Sequence, residues 1–233
     1  MKKNRADKDE GLFIDPLLTR PDRVAIVALG ASAKSFIMEQ MSNGGMNSPF
    51  DEVWTVNRGL RGFVHDKVFC MDDLKWLEKR NKSYANFLKN HDRPIITSTP
   101  YPDYPMSIPY PLHEVMETIE DDIFTQNTIA YMVAYAIHTG VKELTVYGGD
   151  FVYPNGNFSE KGGQAVAYLL GMFKSLGMCH RLPGDTTLLY ANTVKPQPDG
   201  TIRRTLYGYH RKEEVAEDVE KEKQRKRRQK ESK

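Results

Sequence analysis

Three carboxylates stand where apolar runs give way to polar residues, and such positions suit acid–base chemistry. Asp72 and Asp73 follow one apolar run, and Asp150 follows another run that ends in a double glycine. A carboxylate near an acceptor hydroxyl can act as a general base, and crowding of two carboxylates raises the pKa of one of them. Asp150 is the preferred single candidate, and helix capping by one Asp of the pair is the structural alternative. Tyr153 and Glu160, in the loop that follows, are suited to contact a phosphate or position an acceptor.

A second group of residues is suited to bind a nucleotide. Gly30 closes the apolar run 24–29, and Ala31 and Ser32 follow it before a helical pattern begins. Glycine permits close approach of a ligand, and the N–H groups at a helix start attract an anion, which predicts a phosphate site. An ordinary strand–helix turn, with Ser32 as the helix cap, is the alternative. Asn57 ends another apolar run and is suited to bond a base or ribose edge, unless it only forms a turn.

Alternating strands and helices must position these residues. The spacing predicts an α/β fold in a single domain: a Rossmann-like, mostly parallel sheet flanked by helices, a variant of the GT-A type. The carboxyl ends of parallel strands share one edge, so the polar residues that follow the strands should meet there. Predicted strands cover about 24–32 with the turn, 53–57, 67–71, 94–98, 141–150 and 188–190. Predicted helices cover about 34–41, 74–90, 127–139 and 161–176, with a helical turn at 113–119 and an extended proline-rich loop at 99–112.

Four short motifs resemble one superfamily in order and approximate spacing over about residues 22–178. Val27–Ser32 resembles the G-x-S phosphate loop of family 42 bacterial sialyltransferases and of the DUF115/MptE-like proteins. Val53–Arg58 resembles their second strand, Asn127–Met132 their helix start facing the donor phosphates, and Glu143–Phe151 their strand ending in G-x-D-F. The resemblance implies a modified Rossmann fold and transfer of a sugar from a nucleotide donor without an obligatory metal. The implied nucleotide-binding residues are Gly30, Ala31, Ser32, Asn57, Arg58, Asn127, Thr128, Gly148 and Gly149.

Two departures argue against sialic acid as the donor sugar. The sialyltransferases place tyrosines near the leaving phosphate, whereas here Tyr153 is displaced by one position and Phe158 stands at the other place. Their catalytic histidine has no clear counterpart. The patterns DEVW-x-x-N, MDDL and G-x-D-F-x-Y-P also resemble, less specifically, a group of phage proteins. Mg²⁺ at the paired carboxylates is the alternative to metal-free transfer, since hard cations bind carboxylates and phosphates together.

Composition indicates a protein of the cytoplasm, which would be the host cytoplasm if a phage encodes it. The 233 residues include two cysteines, far apart, and no apolar run approaches the ~18 residues that cross a bilayer. No apolar segment follows the charged start, so we expect no signal peptide and no membrane partner. The predicted organisation is a flexible segment at 1–20, the catalytic domain at 21–210 and a charged tail at 211–233, helical or disordered. His65 and His91 are predicted at the surface, and His138 is predicted to be structural.

The positive charge of the chain lies in its tail. Residues 211–233 hold ten basic and seven acidic residues, a net charge of +3, while the rest of the chain carries −1. Such a segment can contact phosphate backbones without reading sequence, and a solvated tail is the alternative. The residues predicted to contact nucleic acid are Lys221, Lys223, Arg225, Lys226, Arg227, Arg228 and Lys230.

These observations predict a nucleotide-sugar-dependent glycosyltransferase. The tail and the phage resemblance add the expectation that its acceptor is a hydroxylated base in DNA. The alternatives are a sialyltransferase-like enzyme acting on a glycan, an MptE-like pyrophosphokinase that requires Mg²⁺, and a nucleotide-binding module without turnover. The sequence does not indicate an oligomeric state.

Overall fold

The computed structural model describes residues 19–44, 49–151, 157–189, 194–196, 202–204, 220, 221 and 224. The chain divides into two compact units, residues 1–188 and residues 189–233.

A parallel sheet of seven strands forms the centre of the first unit. Its spatial order is β5-β4-β3-β2-β1-β6-β7, and every neighbouring pair in it is parallel. The strands are β1 (Arg23–Val27), β2 (Glu52–Val56), β3 (Lys67–Cys70), β4 (Ile95–Thr97), β5 (Ser107–Pro109), β6 (Glu143–Tyr147) and β7 (Cys179–Arg181). The predicted α/β Rossmann-like fold is confirmed.

Helices connect these strands and cover the sheet. They are α1 (Ala33–Ser42), α2 (Leu74–Arg80), α3 (Lys82–Lys89), α4 (Leu112–Ile119), α5 (Thr128–Thr139) and α6 (Asn157–Ser175), with short 3₁₀ helices at Asn57–Arg61 and Ile123–Gln126. Helix α5 is apolar on nearly all sides and is buried from Met132 to Ile137. It ends at Gly140, whose φ of 75° gives the left-handed conformation that closes many helices.

Aromatic side chains hold α1 against the centre of the sheet. The Phe36 ring lies 5.4 Å from that of Tyr147, at the end of β6, and 6.0 Å from that of Phe63. The β1 residues from Val24 to Val27 are fully buried, and Ala28, which follows the strand, is 2% exposed. A strand buried on both faces should read as a continuous apolar run, as residues 24–29 do.

Two predictions of local structure were wrong, and two strands were missed. The helix predicted at 74–90 is two helices, because Asn81 leaves helical geometry (φ −148°, ψ 80°) and its side chain caps α3. The strand predicted at 188–190 is a turn at Leu188 and Leu189. The sequence analysis also missed β5 and β7. Strand β5 lies in the proline-rich stretch, where Pro109 is tolerated at the sheet edge, and β7 reads Cys-His-Arg without an apolar signal.

Strand β1 is the point where the order of the strands reverses. The chain runs from β1 outward through β2, β3, β4 and β5, and then returns to the other side of β1 as β6 and β7. In open parallel sheets the ligand crevice lies at the carboxyl ends of the strands beside such a reversal. The loops that follow β1, β2 and β6 therefore form the place to look for a site.

The described strands of the second unit are an antiparallel pair, β8 (Val194–Pro196) and β9 (Ile202–Arg204). Across the described part of the chain, no helix combines the length and the apolar character needed to span a membrane.

Candidate functional site

Asp150 joins three segments at the carboxyl edge of β1 and β6. Its carboxylate, in a residue 7% exposed, accepts hydrogen bonds from the Ser32 backbone N–H (2.7 Å), the Ser32 hydroxyl (2.7 Å) and the Thr186 hydroxyl (2.8 Å). The Ser32 hydroxyl oxygen also accepts from the Gly148 N–H at 2.9 Å. We call these four residues, Ser32, Gly148, Asp150 and Thr186, the Asp150 network. It ties the start of α1 to the end of β6 and to the loop after β7.

The Asp150 network changes the interpretation of the predicted phosphate loop. Ser32 holds the N-cap position of α1, but its hydroxyl makes no capping bond and turns instead to Asp150. The anion at the start of α1 is therefore the Asp150 carboxylate, which the partial positive charge of the helix terminus favours. A donor phosphate placed on the Ser32 N–H would have to displace this carboxylate.

Two of the predicted ligand-binding glycines are required by contacts within the protein. A Cβ atom at Gly30 would lie 2.5 Å from both Asp150 Oδ2 and the Gly148 carbonyl oxygen. Gly148 has a φ of 68°, and a Cβ there would lie 2.5 Å from the Ala28 carbonyl oxygen. Close approach of the two loops therefore explains both glycines without a ligand.

Asn57 is different, because its side chain has an unused hydrogen-bonding atom. It follows β2 with a φ of 44°, in the left-handed region that few residues other than glycine adopt. Its Oδ1 atom is buried and makes no hydrogen bond with the described part of the chain. Strand β2 is fixed beside β1 by the Thr55 hydroxyl, which donates to the Val27 carbonyl at 2.9 Å. Leu29, in the neighbouring loop, is 56% exposed.

Two arginines occupy the 3₁₀ helix that begins at Asn57. The guanidinium carbons of Arg58 and Arg61 lie 5.7 and 5.5 Å from the centre of the same ring, that of Tyr84. Arg61 also lies 4.9 Å from the ring centre of Phe87. Neither arginine has a carboxylate within 4.0 Å among the described residues. Both side chains are exposed beside the end of β2.

The paired carboxylates after β3 have separate environments. Asp73 caps α2, accepting from the Lys75 N–H (2.8 Å) and the Trp76 N–H (3.4 Å). The Lys75 N–H contributes most to lowering the pKa of Asp73 below its usual value. Asp72 is exposed, and its carboxylate has no hydrogen bond or ion pair with the described residues. Asp72 is therefore the carboxylate of the pair that remains free to act on a ligand.

The start of α5 lies beside the end of β6. A Cβ at Gly149 would lie 3.8 Å from Ile129 Cδ1, so these residues lie near each other. Asn127 caps α5 by accepting from the Ala130 N–H at 3.0 Å, and its amide donates to the Gly162 carbonyl at 3.1 Å. Thr128, the first residue of α5, is partly exposed.

Several of the remaining predicted site residues lie wholly or partly outside the described part of the structure. Tyr153 lies outside the described residues, and Glu160 is within α6, where only its backbone is described. Ala31 is exposed between Gly30 and the start of α1. Of the basic tail, Lys221 is helical, and six residues lie outside the described part: Lys223, Arg225, Lys226, Arg227, Arg228 and Lys230. Among the described residues, no group of three or more His, Cys, Asp or Glu side chains is placed to hold a metal ion.

The chain is similar in structure to the sialyltransferase CstII from Campylobacter jejuni. A solved structure of that enzyme in complex with the substrate analogue CMP-3FNeuAc has 16% identity and a TM-score of 0.46, covering 81% of this chain and 93% of the other. A second structure, in complex with cytidine-5'-monophosphate, has 16% identity and a TM-score of 0.39, covering 81% and 92%. No protein-family model and no curated protein matches the chain. The resemblance to MptE-like and phage proteins stays a prediction.

The sequence analysis missed several residues that shape this region. Thr186 carries no local signal, because it meets Asp150 only through the fold. Arg61 was missed although it has a signal, since it lies three residues after Arg58, which was predicted to bind nucleotide, and residues three apart share one side of a 3₁₀ helix. A surface position for His65 was wrong: it is 9% exposed, with its Nε2 3.1 Å from that of His91.

Proposed function

We propose that the protein is a nucleotide-sugar-dependent glycosyltransferase, with its donor site in the crevice at the ends of β1, β2 and β6. The observation that carries the proposal is the buried, unpartnered Oδ1 atom of Asn57 beside the reversal point of the sheet. An unpartnered buried oxygen costs free energy, and a strained backbone often marks a ligand site. An amino or hydroxyl group of a nucleoside would satisfy this oxygen.

The proposed donor position uses residues that are not already bonded within the protein. Asn57 accepts a hydrogen bond from the base or ribose, and the exposed Leu29 packs against the same nucleoside. Thr128 and the start of α5 contribute donors towards the phosphates. The Asp150 network acts indirectly, because it holds the Gly30–Ser32 loop in the position that shapes the crevice.

Asp72 is the proposed general base. The acceptor hydroxyl oxygen attacks the anomeric carbon of the donor sugar while Asp72 takes its proton, and the bond from that carbon to the phosphate oxygen breaks. The electron pair of the broken bond leaves with the nucleotide. Asp72 is preferred to Asp73 and Asp150 because both of those carboxylates are engaged by N–H or hydroxyl donors of the protein.

The Asn57 side chain can be removed without opposing the backbone. Asn57→Gly deletes Oδ1 and suits a φ of 44°, so the variant should fold at least as well as the parent. Calorimetry with CMP, UDP, GDP and their sugars identifies the nucleotide that binds best. We expect the variant's affinity for that nucleotide to fall about tenfold, which is the upper end of the net contribution of one hydrogen bond between neutral groups. Glu120→Gly is the matched control, since Glu120 also has a left-handed φ, 57°, at the end of α4. Equal affinity in both variants would contradict the donor site.

A nucleotide-binding module without turnover is the second candidate, favoured by the engagement of Asp73 and Asp150 in structural bonds. Asp72→Asn separates the two candidates. In a transferase it should lower the rate by about 10²–10⁴ and leave donor affinity nearly unchanged. Transfer measured with and without EDTA tests the expectation that no metal is required. A parent protein that binds nucleotide but transfers no sugar to any acceptor would establish the module.

We propose a hydroxylated base in DNA as the acceptor, on the basis of the tail's charge. The segment 221–230 holds seven basic residues and one acidic residue, which suits contact with phosphates. Neutralising Arg225, Lys226, Arg227 and Arg228 to Gln in the full chain should weaken duplex binding strongly at about 50 mM salt and little at about 500 mM, where screening dominates. Equal duplex binding by the variant and the parent would give first place to a glycan acceptor.

A further inference from the structure

We propose that Arg58 and Arg61 form a subsite for an oxyanion, a phosphate or a carboxylate, carried by the acceptor. This inference rests on the proposed function for the assignment to the acceptor, whereas the anion subsite itself follows from the geometry of the two arginines.

The two guanidinium groups lie near one aromatic ring without a counter-charge. Both lie within 5.7 Å of the centre of the Tyr84 ring, and no described carboxylate lies within 4.0 Å of either. An anion bound beside this ring would therefore meet two positive charges that no described carboxylate neutralises. The only polar contact of Arg61 with the described residues is a long one, 3.5 Å from Nη2 to the Ser83 carbonyl. Most of its N–H donors therefore remain for a ligand.

Aromatic contacts position these cations. Arg61 lies over the rings of Tyr84 and Phe87, both on α3, and Arg58 lies over Tyr84 alone. A guanidinium stacked on an aromatic ring keeps its rim of N–H donors available, and that rim matches the two oxygens of a carboxylate or phosphate. Tyr84 is 1% exposed, so its ring is a fixed base for both arginines.

The position in the sheet assigns the subsite to the acceptor. Strand β2 lies between β1 and β3, and the arginines follow β2. Of the proposed donor contacts, Leu29 follows β1, and Asn57 begins the 3₁₀ helix that carries the two arginines. Tyr84, the ring beneath both arginines, instead belongs to one buried cluster with Cys70, at the end of β3, and Leu74, two residues after Asp72. The arginines therefore stand on the Asp72 side, where the hydroxyl to be deprotonated must lie.

Three hexoses that differ mainly in charge test the subsite in the full chain. Glucose 6-phosphate carries a phosphate, glucuronate carries a carboxylate, and glucose carries neither. We expect at least one charged hexose to bind at least tenfold more tightly than glucose, measured by ligand-observed NMR, and to lose this advantage as salt rises. Tighter binding of glucose 6-phosphate would indicate an acceptor that carries phosphate, as DNA does, and tighter binding of glucuronate would indicate an acidic sugar.

Substitutions locate the binding at the two arginines. The double variant with Arg58→Leu and Arg61→Leu should bind the charged hexose no more tightly than glucose. The double variant with Arg58→Leu and Arg61→Lys should keep part of the affinity for the charged hexose. Arg80→Leu is the matched control, because Arg80 also lies over an aromatic ring, 4.4 Å from Trp76, but at the far end of α2. Circular dichroism of each variant verifies folding. Charged hexoses that bind no better than glucose, or that bind the double variant as well as the parent, would overturn the subsite.

A separate measurement of nucleotide binding distinguishes failure of the anion subsite from failure of the proposed donor site. If the charged hexose binds through the arginines while no nucleotide binds at Asn57, the anion subsite stands and its assignment to a glycosyl acceptor is overturned. If nucleotide binds and the hexoses do not, the donor site stands and the anion subsite is overturned.

Discussion

Breaking the Asp150 network should destabilise the fold as a unit. The informative pair of changes is Asp150→Ala and Ser32→Ala, made singly and together. Asp150→Ala removes the acceptor of three hydrogen bonds of 2.7–2.8 Å in a residue that is 7% exposed. Ser32→Ala removes one of those bonds and also the acceptor of the Gly148 N–H. The two changes therefore share a bond, and their effects should not add.

The size of the effect follows from the number of donors left buried. Each buried donor without an acceptor costs about 1–3 kcal/mol, and rotation of the two hydroxyls recovers part of this. We expect Asp150→Ala to lower the free energy of unfolding by about 3–5 kcal/mol, typical of breaking a buried charged network, and Ser32→Ala by about 1–3 kcal/mol. The double variant should fall short of the sum by about 1–2 kcal/mol, because the shared bond is lost only once.

Urea unfolding followed by circular dichroism measures all three free energies. Thr186→Val serves as the control within the network. It removes one donor to Asp150 and the distant acceptor of the Leu188 N–H (3.3 Å) at similar volume, and it should cost about 1 kcal/mol. Additivity of the Ser32 and Asp150 effects within about 0.5 kcal/mol would refute the shared bond. In a transfer assay, Asp150→Asn should weaken donor binding and rate together. Loss of rate alone would return Asp150 to the role of general base.

Other regions give independent predictions. Burial lowers the pKa of both His65 and His91 in the folded protein. As the pH falls through about 6.5, the unfolded chain therefore binds protons before the folded protein does. The free energy of unfolding should consequently decrease from about pH 7.5 to about pH 5.5. His65→Gln should reduce this pH dependence of the urea midpoint, and an unchanged slope would contradict it. Ellman's reagent should react with the native protein at Cys179 alone, because Cys70 is buried and burial raises the pKa of its thiol to about 12. A second thiol that reacts fast would contradict the burial of Cys70. Gly171→Ala should stabilise α6 by up to about 1 kcal/mol, because alanine favours helices and a Cβ at this position would have no atom within 4 Å. A loss of stability would contradict the open space around Gly171.

The sequence predicts the central elements of this fold because their signals are local. Strands β1, β2, β3 and β6 are buried on both faces, so each appears as an apolar run that ends at a glycine or polar residue. The edge strands β5 and β7 lack that burial and therefore lack the signal. The break between α2 and α3 depends on one asparagine whose capping role competes with a continuous helical pattern.

The candidate site is harder to predict, because residue type does not reveal which bonds are already made. Gly30 and Ser32 have the types of a phosphate loop, yet Asp150 fills that position from 118 residues away. The same rule that predicts an anion at the start of α1 is satisfied there by a carboxylate of the chain itself. By residue type, Asn57 suits a turn as well as it suits a ligand contact, but its Oδ1 is buried without a partner among the described residues. Since the free energy of that oxygen can be recovered only by a donor from outside the described chain, the search for a ligand should begin at β2 rather than at the glycine loop.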